Sequence, residues 1–544
     1  MNQQESNQVT ESDAMFDVWA SVRTELCSPG QFFELEEIEV RGQLVKSWRN
    51  APASLRDLWL QAAGHGDAEY LVYGEERWTY AEAHRDITSI VAWLQSNGIR
   101  QNDRVAIAMR NYPEWLLAYW ATLAMGATVV GVNAWWVAEE LSYGLNDAQP
   151  GVIICDEQRL ERLEQIRGEI PDMHVVAVRC DRTLPDYAVD WSDLLGSDAD
   201  LPEVDIDPED DACIFYTSGT TGHPKGAQLT HRGCANNLMS SVFSNLAQIT
   251  ALTRMAGKEP SPPERTSVLI TTPLFHVTAN NVVAHTSTLL GNKLVLMYKW
   301  DAGDALRLIE REKVSAMSGV PVMAREVISH PDFARTDTSS LSSLGGGGAP
   351  LQPDLVKKID GKSSAPVTGY GMTEVCGLAS GIIGPFFLHR PDSVGPVLPV
   401  FDVRCVDAEG ETLPAGERGE VLLRSAQVIK GYLNRPQDTA KTIVDGWLHT
   451  GDVGYLDERG LLYIVDRIKD MVLRGGENIY CAEVEAVLFQ HDAVSEAAVF
   501  AVPDEMLGEE VGAAIYLESG ATFDADAFRQ YCSQHLAAYK IPRY

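Results

Sequence analysis

Apolar and polar positions alternate along the first third of the chain in a way that predicts strands and helices in turn. Thr79 and Glu82 form a capping box, and the apolar stripe Ile87, Ile90, Val91 and Leu94 predicts a helix that ends at Gly98. Short apolar runs then predict buried strands at residues 104–109, 128–132, 151–155 and 174–178. Because strands alternate with helices, we expect a largely parallel sheet that is covered on both faces.

The alternation of predicted strands and helices continues and is then followed by short antiparallel strands. Apolar runs at residues 267–270, 293–297 and 316–320 predict a second parallel-sheet unit. Beyond about residue 395, residues 403–410 and 419–424 favour short antiparallel strands, and residues 454–465 predict a hairpin that turns at residues 457–460. After Asp466 a small α+β region follows, with a helix at residues 482–489 and a strand at residues 496–500.

These patterns predict an α/β fold with two main parts. We expect a large N-terminal domain over residues 14–466, with two parallel-sheet units and a small β-barrel-like part. The charged stretch at residues 466–469 marks a candidate boundary, followed by a small, mobile α+β domain over residues 467–544. The polar residues 1–13 are expected to form a loose, disordered tail.

One stretch, residues 215–226, combines small hydroxyl residues, glycines, Pro224 and Lys225. A buried strand is predicted before it, at residues 212–216. A helix is predicted after it, with Leu238, Val242, Leu246 and Ile249 on one face. Glycines let successive N–H groups point at one centre, and the hydroxyls and the lysine suit a polyphosphate. A flexible surface loop is the alternative, and the order of residues differs from that of a Walker A loop.

Composition narrows the classes of partner. The chain has 544 residues and a net charge of −33, which disfavours binding to nucleic acid or anionic lipid. Nine cysteines without zinc-site spacing fit a reducing, cytoplasmic environment. The N-terminus has no apolar core typical of a signal peptide, and no apolar run reaches membrane-spanning length. We therefore expect small-molecule partners, with a homodimer left open.

Residues 215–226 closely resemble the phosphate-binding loop of the adenylate-forming superfamily. That family comprises acyl-CoA synthetases, adenylation domains of peptide synthetases and beetle luciferases. Further stretches match it in the expected order, from at least Tyr216 to Asn478. The chain looks most similar to fatty-acid-type acyl-CoA synthetases, because of residues 273–276, 347–350 and 475–478.

The resemblance implies ATP- and AMP-binding residues in several stretches. In the first loop these are Thr217, Ser218, Gly219, Thr220, Thr221, Gly222 and Lys225. A wall beside the nucleotide is implied at Gly347, Gly348 and Ala349, and an adenine segment at Gly369, Tyr370, Gly371, Met372 and Thr373. Asp452 has two acceptor oxygens for the ribose hydroxyls, with Arg467 assisting. Glu374 and Thr217 are the implied Mg²⁺ ligands, since Mg²⁺ prefers oxygen.

The resemblance also implies residues around the acid and the thiol. His276 would lie beside the reacting carboxylate, with Val277, Asn280 and Gly345 around the acyl group. The CoA loop would be Arg474, Gly475, Gly476 and Glu477, and Lys469 would be the hinge of the small domain. Taken singly, each motif has a plainer interpretation: a turn for Glu374 and Asp452, a linker for residues 345–350, and a structural histidine for His276.

The implied reaction is a two-step ligation that uses ATP, Mg²⁺ and CoA. A carboxylic acid, expected to be a medium- or long-chain fatty acid, becomes acyl-AMP and is then transferred to CoA. Loading of a carrier-protein phosphopantetheine is one alternative. In the family a second catalytic lysine follows a stretch like residues 538–543, whereas this sequence stops at Tyr544. Because that segment is missing from the sequence, we expect poor adenylation with the thioester step retained, or an impaired acyl-nucleotide binder.

Overall fold

The structure is a computed structural model. It describes residues 3–217, 223–259, 265–362, 364–475, 477–504, 506–518 and 520–544, with side chains from residue 13 onward. The chain divides into two compact units, one formed by residues 1–402 and 424–448, the other by residues 403–423 and 449–544. The predicted boundary at residues 466–469 falls inside the second unit.

Helices alternate with strands through most of the chain. The α-helices are α1 Gln3–Leu26, α2 Leu55–Ala63, α3 Tyr80–Ser96, α4 Pro113–Ala124, α5 Ala138–Ala148, α6 Glu157–Ile166, α7 His231–Met255, α8 His285–Leu289, α9 Ala302–Glu312, α10 Pro321–Ser329, α11 Pro353–Asp360, α12 Gly384–His389, α13 Pro436–Thr442, α14 Cys481–Leu488 and α15 Ala525–His535. A π-helix spans Thr278–Ala284, and 3-10 turns span Trp191–Leu194, Phe333–Arg335, Thr373–Val375 and Ala538–Lys540.

The strands of the first half are β1 Leu35–Val40, β2 Gln43–Trp48, β3 Glu69–Tyr73, β4 Glu76–Thr79, β5 Arg104–Ala108, β6 Thr128–Gly131, β7 Val152–Asp156, β8 His174–Val178, β9 Ala188–Asp190, β10 Asp211–Thr217, β11 Lys225–Thr230, β12 Ser267–Ile270 and β13 Lys293–Leu296. Those of the second half are β14 Ala316–Gly319, β15 Ser343–Gly346, β16 Ala365–Met372, β17 Gly377–Ile383, β18 Gly395–Pro396, β19 Asp402–Val406, β20 Gly419–Arg424, β21 Gly431–Tyr432, β22 Ile443–Val444, β23 Trp447–Leu456, β24 Leu461–Arg467, β25 Val472–Arg474, β26 Glu477–Ile479, β27 Val494–Asp504 and β28 Gly508–Leu517.

The first unit contains the two predicted parallel sheets. One runs in the order β21-β11-β10-β6-β5-β7-β8-β9, the other in the order β17-β16-β15-β14-β12-β13-β3-β4. Strands β5 to β10 and β12 to β16 pair in parallel, while β11, β21, β17 and β4 add antiparallel edges. The strands are apolar on both faces because helices cover both, which is why their sequences are continuous apolar runs.

The second unit is the smaller α+β part. Its strands β23 and β24 form the predicted hairpin, which turns where the amide of Gly460 donates to the carbonyl of Asp457 over 2.9 Å. Strands β25 to β28 form a four-stranded antiparallel sheet in the order β26-β25-β28-β27. Helices α14 and α15 pack a separate core of valines, leucines and Phe528 against it. The α/β and α+β fold classes predicted from the sequence are confirmed.

The structure differs from the sequence-based expectation at several places. Helix α1 begins at Gln3, within the segment expected to be a loose tail. A strand, β11, separates the loop after β10 from helix α7, where the sequence led us to expect loop and then helix. The expected apolar stripe of α7 is buried only in part: Leu238 is buried, whereas Leu246 and Ile249 are 36% and 54% exposed. The buried face of α7 combines polar and apolar residues, so the helix was predicted correctly, whereas the stripe marks its buried face only at its beginning.

Candidate active site

The first candidate loop joins two strands of a hairpin. Strands β10 and β11 pair antiparallel, with Thr217 opposite Lys225, so the two residues stand at the mouth of the loop. The Thr217 hydroxyl donates to the carbonyl of Lys225 over 3.4 Å. The predicted ligands Ser218, Gly219, Thr220, Thr221 and Gly222 lie outside the described residues. The hairpin therefore defines where the loop starts and ends.

Lys225 is half-buried and already has partners. Its ammonium lies 3.2 Å from a carboxylate oxygen of Asp438 and 5.3 Å from the centroid of the Tyr432 ring. Neither partner was identified from the sequence, because both come from a segment about 200 residues further on. A lysine held by one carboxylate and one aromatic face has a defined position from which it can reach an anion.

The last described part of the loop is fixed from the side. The ring of Tyr143 on α5 stacks on His223 at 4.7 Å and 17°, and its hydroxyl donates to the carbonyl of Pro224 over 3.0 Å. Arg435 donates in turn to the Tyr143 hydroxyl over 2.6 Å. Helix α5 and the residue before α13 thus hold the residues just before Lys225.

Glu374 stands on the 3-10 turn that follows β16. Its carbonyl accepts from the amide of Ile429 over 3.0 Å, and its carboxylate oxygen Oε1 accepts from the Tyr432 hydroxyl over 2.7 Å. The predicted adenine residues Gly369, Tyr370, Gly371 and Met372 lie on β16, and Thr373 begins the turn. Gly371 is required there, because a Cβ at this position would lie 1.9 Å from the carbonyl oxygen of Gly377 on β17.

The donors at the candidate site suit a magnesium ion that is also bound by the phosphates of a substrate. The Glu374 carboxylate and the Thr217 hydroxyl are oxygen donors, the kind that Mg²⁺ prefers. Within the described ranges, no group of three or more His, Cys, Asp or Glu side chains could hold a metal. Mg²⁺ commonly binds through one or two carboxylates together with substrate phosphates, so this donor set fits.

The glycine run at residues 345–348 is not a linker. Gly345 and Gly346 are the last residues of β15, paired in parallel with β14 on one side and β16 on the other. Their φ angles are +152° and +145°, and a Cβ would lie 2.1 Å from the oxygen of Val367 at Gly345 and 1.9 Å from that of Gly319 at Gly346. These glycines allow close strand packing, after which Gly347, Gly348 and Ala349 leave the sheet.

The residues expected near the acid follow β12. His276 is half-buried, and burial lowers the pKa of its imidazole below the ordinary value, which favours the neutral form. Its ring lies 4.8 Å from Phe275, which in turn lies 5.3 Å from the half-exposed Trp135. Val277 and Asn280 are buried, and the Asn280 amide donates to Asn281 over 2.9 Å.

Two buried polar side chains, Asn237 on α7 and Gln427 after β20, support the Glu374 turn and the start of β17, and sequence reasoning missed both. Asn237 donates to the carbonyl of Asn281 over 3.0 Å and accepts from the amide of Leu378 over 2.8 Å. Gln427 bridges the carbonyls of Val375 and Leu378 over 2.8 and 2.7 Å. Because a buried polar group is costly without a partner, this network fixes the turn and the first residues of β17.

The second unit contains the residues predicted for the ribose. Asp452 on β23 is buried and pairs in register with Arg467 on β24, whose Nε donates to Asp452 Oδ1 over 3.1 Å. The predicted hinge Lys469 is exposed in the turn after β24. In the expected CoA loop, Arg474 lies opposite Glu477 and forms a salt bridge of 2.8 Å with Glu510. The Gly475 amide donates to the carbonyl of Leu507 over 2.8 Å. Gly476 lies outside the described residues.

The chain belongs to the AMP-binding enzyme family: residues 58–433 match that family, and residues 483–544 match the AMP-binding enzyme C-terminal domain. It is accordingly an enzyme, an acid–thiol ligase of the AMP-forming type. Among the described residues, each helix is too short or too polar to cross a bilayer.

Known relatives differ in the acid that their names record. A feruloyl-CoA synthase from Amycolatopsis sp is 34% identical over 474 residues, covering 87% of this chain and 90% of that protein. A long-chain-fatty-acid–CoA ligase of Bacillus subtilis strain 168 is 32% identical over 512 residues, covering 89% and 88%. The structure of o-succinylbenzoate CoA synthetase from Bacillus subtilis with ATP and a magnesium ion has a TM-score of 0.75 at 28% identity, covering 89% of this chain and 94% of that chain.

Proposed function

We propose that this enzyme activates a medium- or long-chain fatty acid as acyl-AMP and transfers the acyl group to CoA. In the first step a carboxylate oxygen attacks the α-phosphorus of ATP, and the bond to pyrophosphate breaks. In the second step the CoA sulfur, having lost its proton, attacks the acyl carbonyl, forms the thioester and releases AMP. Both steps need no reagent beyond ATP, the acid and CoA.

The convergence of Lys225 and Glu374 on one residue, Tyr432, supports the adenylation step of the proposal. Positive charge must gather around the α-phosphorus and the leaving pyrophosphate as negative charge develops there. Lys225 supplies such a charge directly. Mg²⁺, held by Glu374 and Thr217, would supply more at the phosphates when bound. Asp452 would accept the ribose hydroxyls, with Arg467 orienting its carboxylate.

The remaining assignments are carried over from the motifs of the family. Neutral His276 would donate a hydrogen bond to the substrate carboxylate, with Val277, Asn280 and Gly345 around the acyl group. Residues 369–373 and 347–349 would enclose adenine. Arg474, Gly475 and Glu477 would contact CoA in the second step. Residues 467–544 would move between the steps, with Lys469 as the pivot, since a few positions absorb such changes.

An aromatic acid such as ferulate is the second candidate substrate. It is favoured by the feruloyl-CoA synthase relative, whose identity to this chain is 34%. Pyrophosphate exchange into ATP, measured with saturated acids of increasing length and with ferulate, separates the two. We expect the highest kcat/KM for a fatty acid. A higher kcat/KM for ferulate would make ferulate the proposed substrate in place of a fatty acid. If no acid supported exchange, the proposed adenylation reaction would be overturned.

The hinge has its own test. Lys469→Pro fixes φ and removes a backbone donor, so it should block one half-reaction and spare the other. The first half-reaction is followed as pyrophosphate exchange. The second is followed as thioester formed from supplied acyl-adenylate and CoA. Equal loss of both, or of neither, would contradict a pivot at Lys469.

A further inference from the structure

The segment from Gly431 to Asp438 lies at the edge of the first sheet. Its strand β21 pairs antiparallel with β11, Tyr432 opposite Ala227 and Gly431 opposite Gln228. The amide of Leu433 donates to the carbonyl of Gly226 over 2.8 Å, next to Lys225. The segment is therefore fastened by its backbone to the strand that begins with Lys225.

Tyr432 contacts both charged groups of the proposed adenylation site. It is 8% exposed, its hydroxyl donates to Glu374 Oε1 over 2.7 Å, and the Lys225 ammonium lies 5.3 Å from its ring centroid. Burial, and then the Glu374 carboxylate, raise the pKa of this phenol well above its ordinary value. The hydroxyl therefore stays protonated and acts as a donor to Glu374.

We propose that Tyr432 is a positioning residue of the adenylation site, whose hydroxyl orients the Glu374 carboxylate and whose ring positions the Lys225 ammonium. This role rests on the proposed function. A neutral donor on Oε1 fixes the plane of the carboxylate without cancelling its charge, so Oε2 keeps its attraction for a cation. The ring face attracts the ammonium through its quadrupole and leaves the N–H groups of Lys225 available.

The surroundings of Tyr432 make it a firm support. Its amide donates to the hydroxyl of Thr439 over 2.9 Å, and that hydroxyl donates to the carbonyl of Arg435 over 2.9 Å. Gly431 has φ +157°, and a Cβ there would lie 2.7 Å from Thr439. The turn between β21 and α13 is thus closed on itself, which limits the positions that the tyrosine can take.

Tyr432→Phe removes the hydroxyl and keeps the ring. Loss of one hydrogen bond to a charged group should weaken Mg²⁺-dependent binding of a non-hydrolysable ATP analogue by about tenfold. Binding is measured by calorimetry at several Mg²⁺ concentrations, and pyrophosphate exchange is followed alongside. Tyr80→Phe is the matched control, because Tyr80 is also buried and donates to the carbonyl of Asn292 over 2.8 Å, and we expect it to leave binding unchanged.

A double-mutant cycle with Glu374→Gln separates positioning from general support of the fold. If Tyr432 acts through Glu374, then Tyr432→Phe added to Glu374→Gln should change binding by less than about twofold. Tyr432→Leu, which also removes the ring, should weaken binding further at every Mg²⁺ concentration, since Lys225 loses its aromatic partner.

The outcomes distinguish the two proposals. Two results would overturn the role of Tyr432. One is an unchanged Mg²⁺-dependent affinity for the ATP analogue in Tyr432→Phe. The other is that Tyr432→Phe lowers this affinity equally in the wild type and in Glu374→Gln. If the wild type showed no pyrophosphate exchange with any acid, the proposed function would be overturned. The double-mutant cycle would still measure the coupling between Tyr432 and Glu374 in binding of the ATP analogue. Melting temperatures of all variants show which of them retain the fold.

Discussion

Glu374 and Asp452 are both carboxylates predicted to serve ATP, yet their surroundings are opposite. Glu374 accepts from the neutral hydroxyl of Tyr432, and Asp452 accepts from the charged Arg467. Among the described residues, Glu374 forms no salt bridge, so its negative charge is left for a cation. The charge of Asp452 is balanced, which suits neutral hydroxyl groups of a sugar better than a metal.

In these two residues the partner of the carboxylate indicates its ligand more directly than the sequence motif does. Each motif taken alone could be a turn, and in the structure Glu374 lies on a 3-10 turn whereas Asp452 lies within strand β23. What separates them is whether the fold has already supplied a positive charge.

The largest effect is expected from Glu374→Gln. The change keeps shape and hydrogen bonding but removes the charge, so adenylation should fall by about 10²-fold or more even at saturating Mg²⁺. Pyrophosphate exchange measures it, and melting temperature checks the fold. Glu82→Gln, at the cap of α3, is a matched control whose exchange rate should equal that of the wild type. A normal rate in Glu374→Gln would show that its uncompensated charge has no role.

A smaller effect is expected from Asp452→Ala. Loss of hydrogen bonds to a charged acceptor costs about 1.5–3 kcal/mol, which corresponds to about ten- to a hundredfold in ATP affinity. Equilibrium binding of ATP measures it, and the loss should not depend on Mg²⁺. Asp457→Ala is the control in the same hairpin, since that carboxylate accepts from the amide of Leu461 over 2.8 Å. A change of ATP affinity below about twofold would remove the ribose assignment.

The smallest effect, and one of opposite sign, is expected from Asp438→Asn. This carboxylate is paired with Lys225, so it competes with phosphate for the same ammonium. Because such partly exposed pairs contribute about 0.2–1 kcal/mol, its removal should tighten ATP binding by about two- to threefold at low salt. Titration at two ionic strengths checks this, and the gain should shrink at high salt. Weaker binding would mean that Asp438 positions Lys225 instead.

Sequence patterns predicted the parallel sheets because their strands are apolar on both faces. The capping box at Thr79 and Glu82 and the turn at residues 457–460 were also predicted, since both depend on residues close in sequence. The orientation of α7 could not be read, because its buried face carries Asn237, whose partners Asn281 and Leu378 lie far along the chain. A polar side chain looks exposed until its partner is known.

The candidate site was predicted only in part for the same reason. Motifs identified Lys225 and Glu374 as candidates, and the structure brings both into contact with Tyr432. Tyr432 itself was not identified, because it lies 58 positions beyond Glu374. The glycines at 345 and 346 could equally have been a linker. Their role depends on the backbones of β14 and β16, and no local signal reports how closely another strand approaches.

The discontinuity of the first unit has a consequence for the chain during its synthesis. Residues 424–448 complete that unit, and among them β21 covers the edge of β11. The ribosome makes β11 about 200 residues before β21, which corresponds to roughly 10–40 s. Until then β11 is an open sheet edge, the kind of surface that pairs with other chains. A chain stalled before residue 431 would therefore expose β11 as an unpaired edge strand and would lack Tyr432. We expect chaperones to bind such a chain.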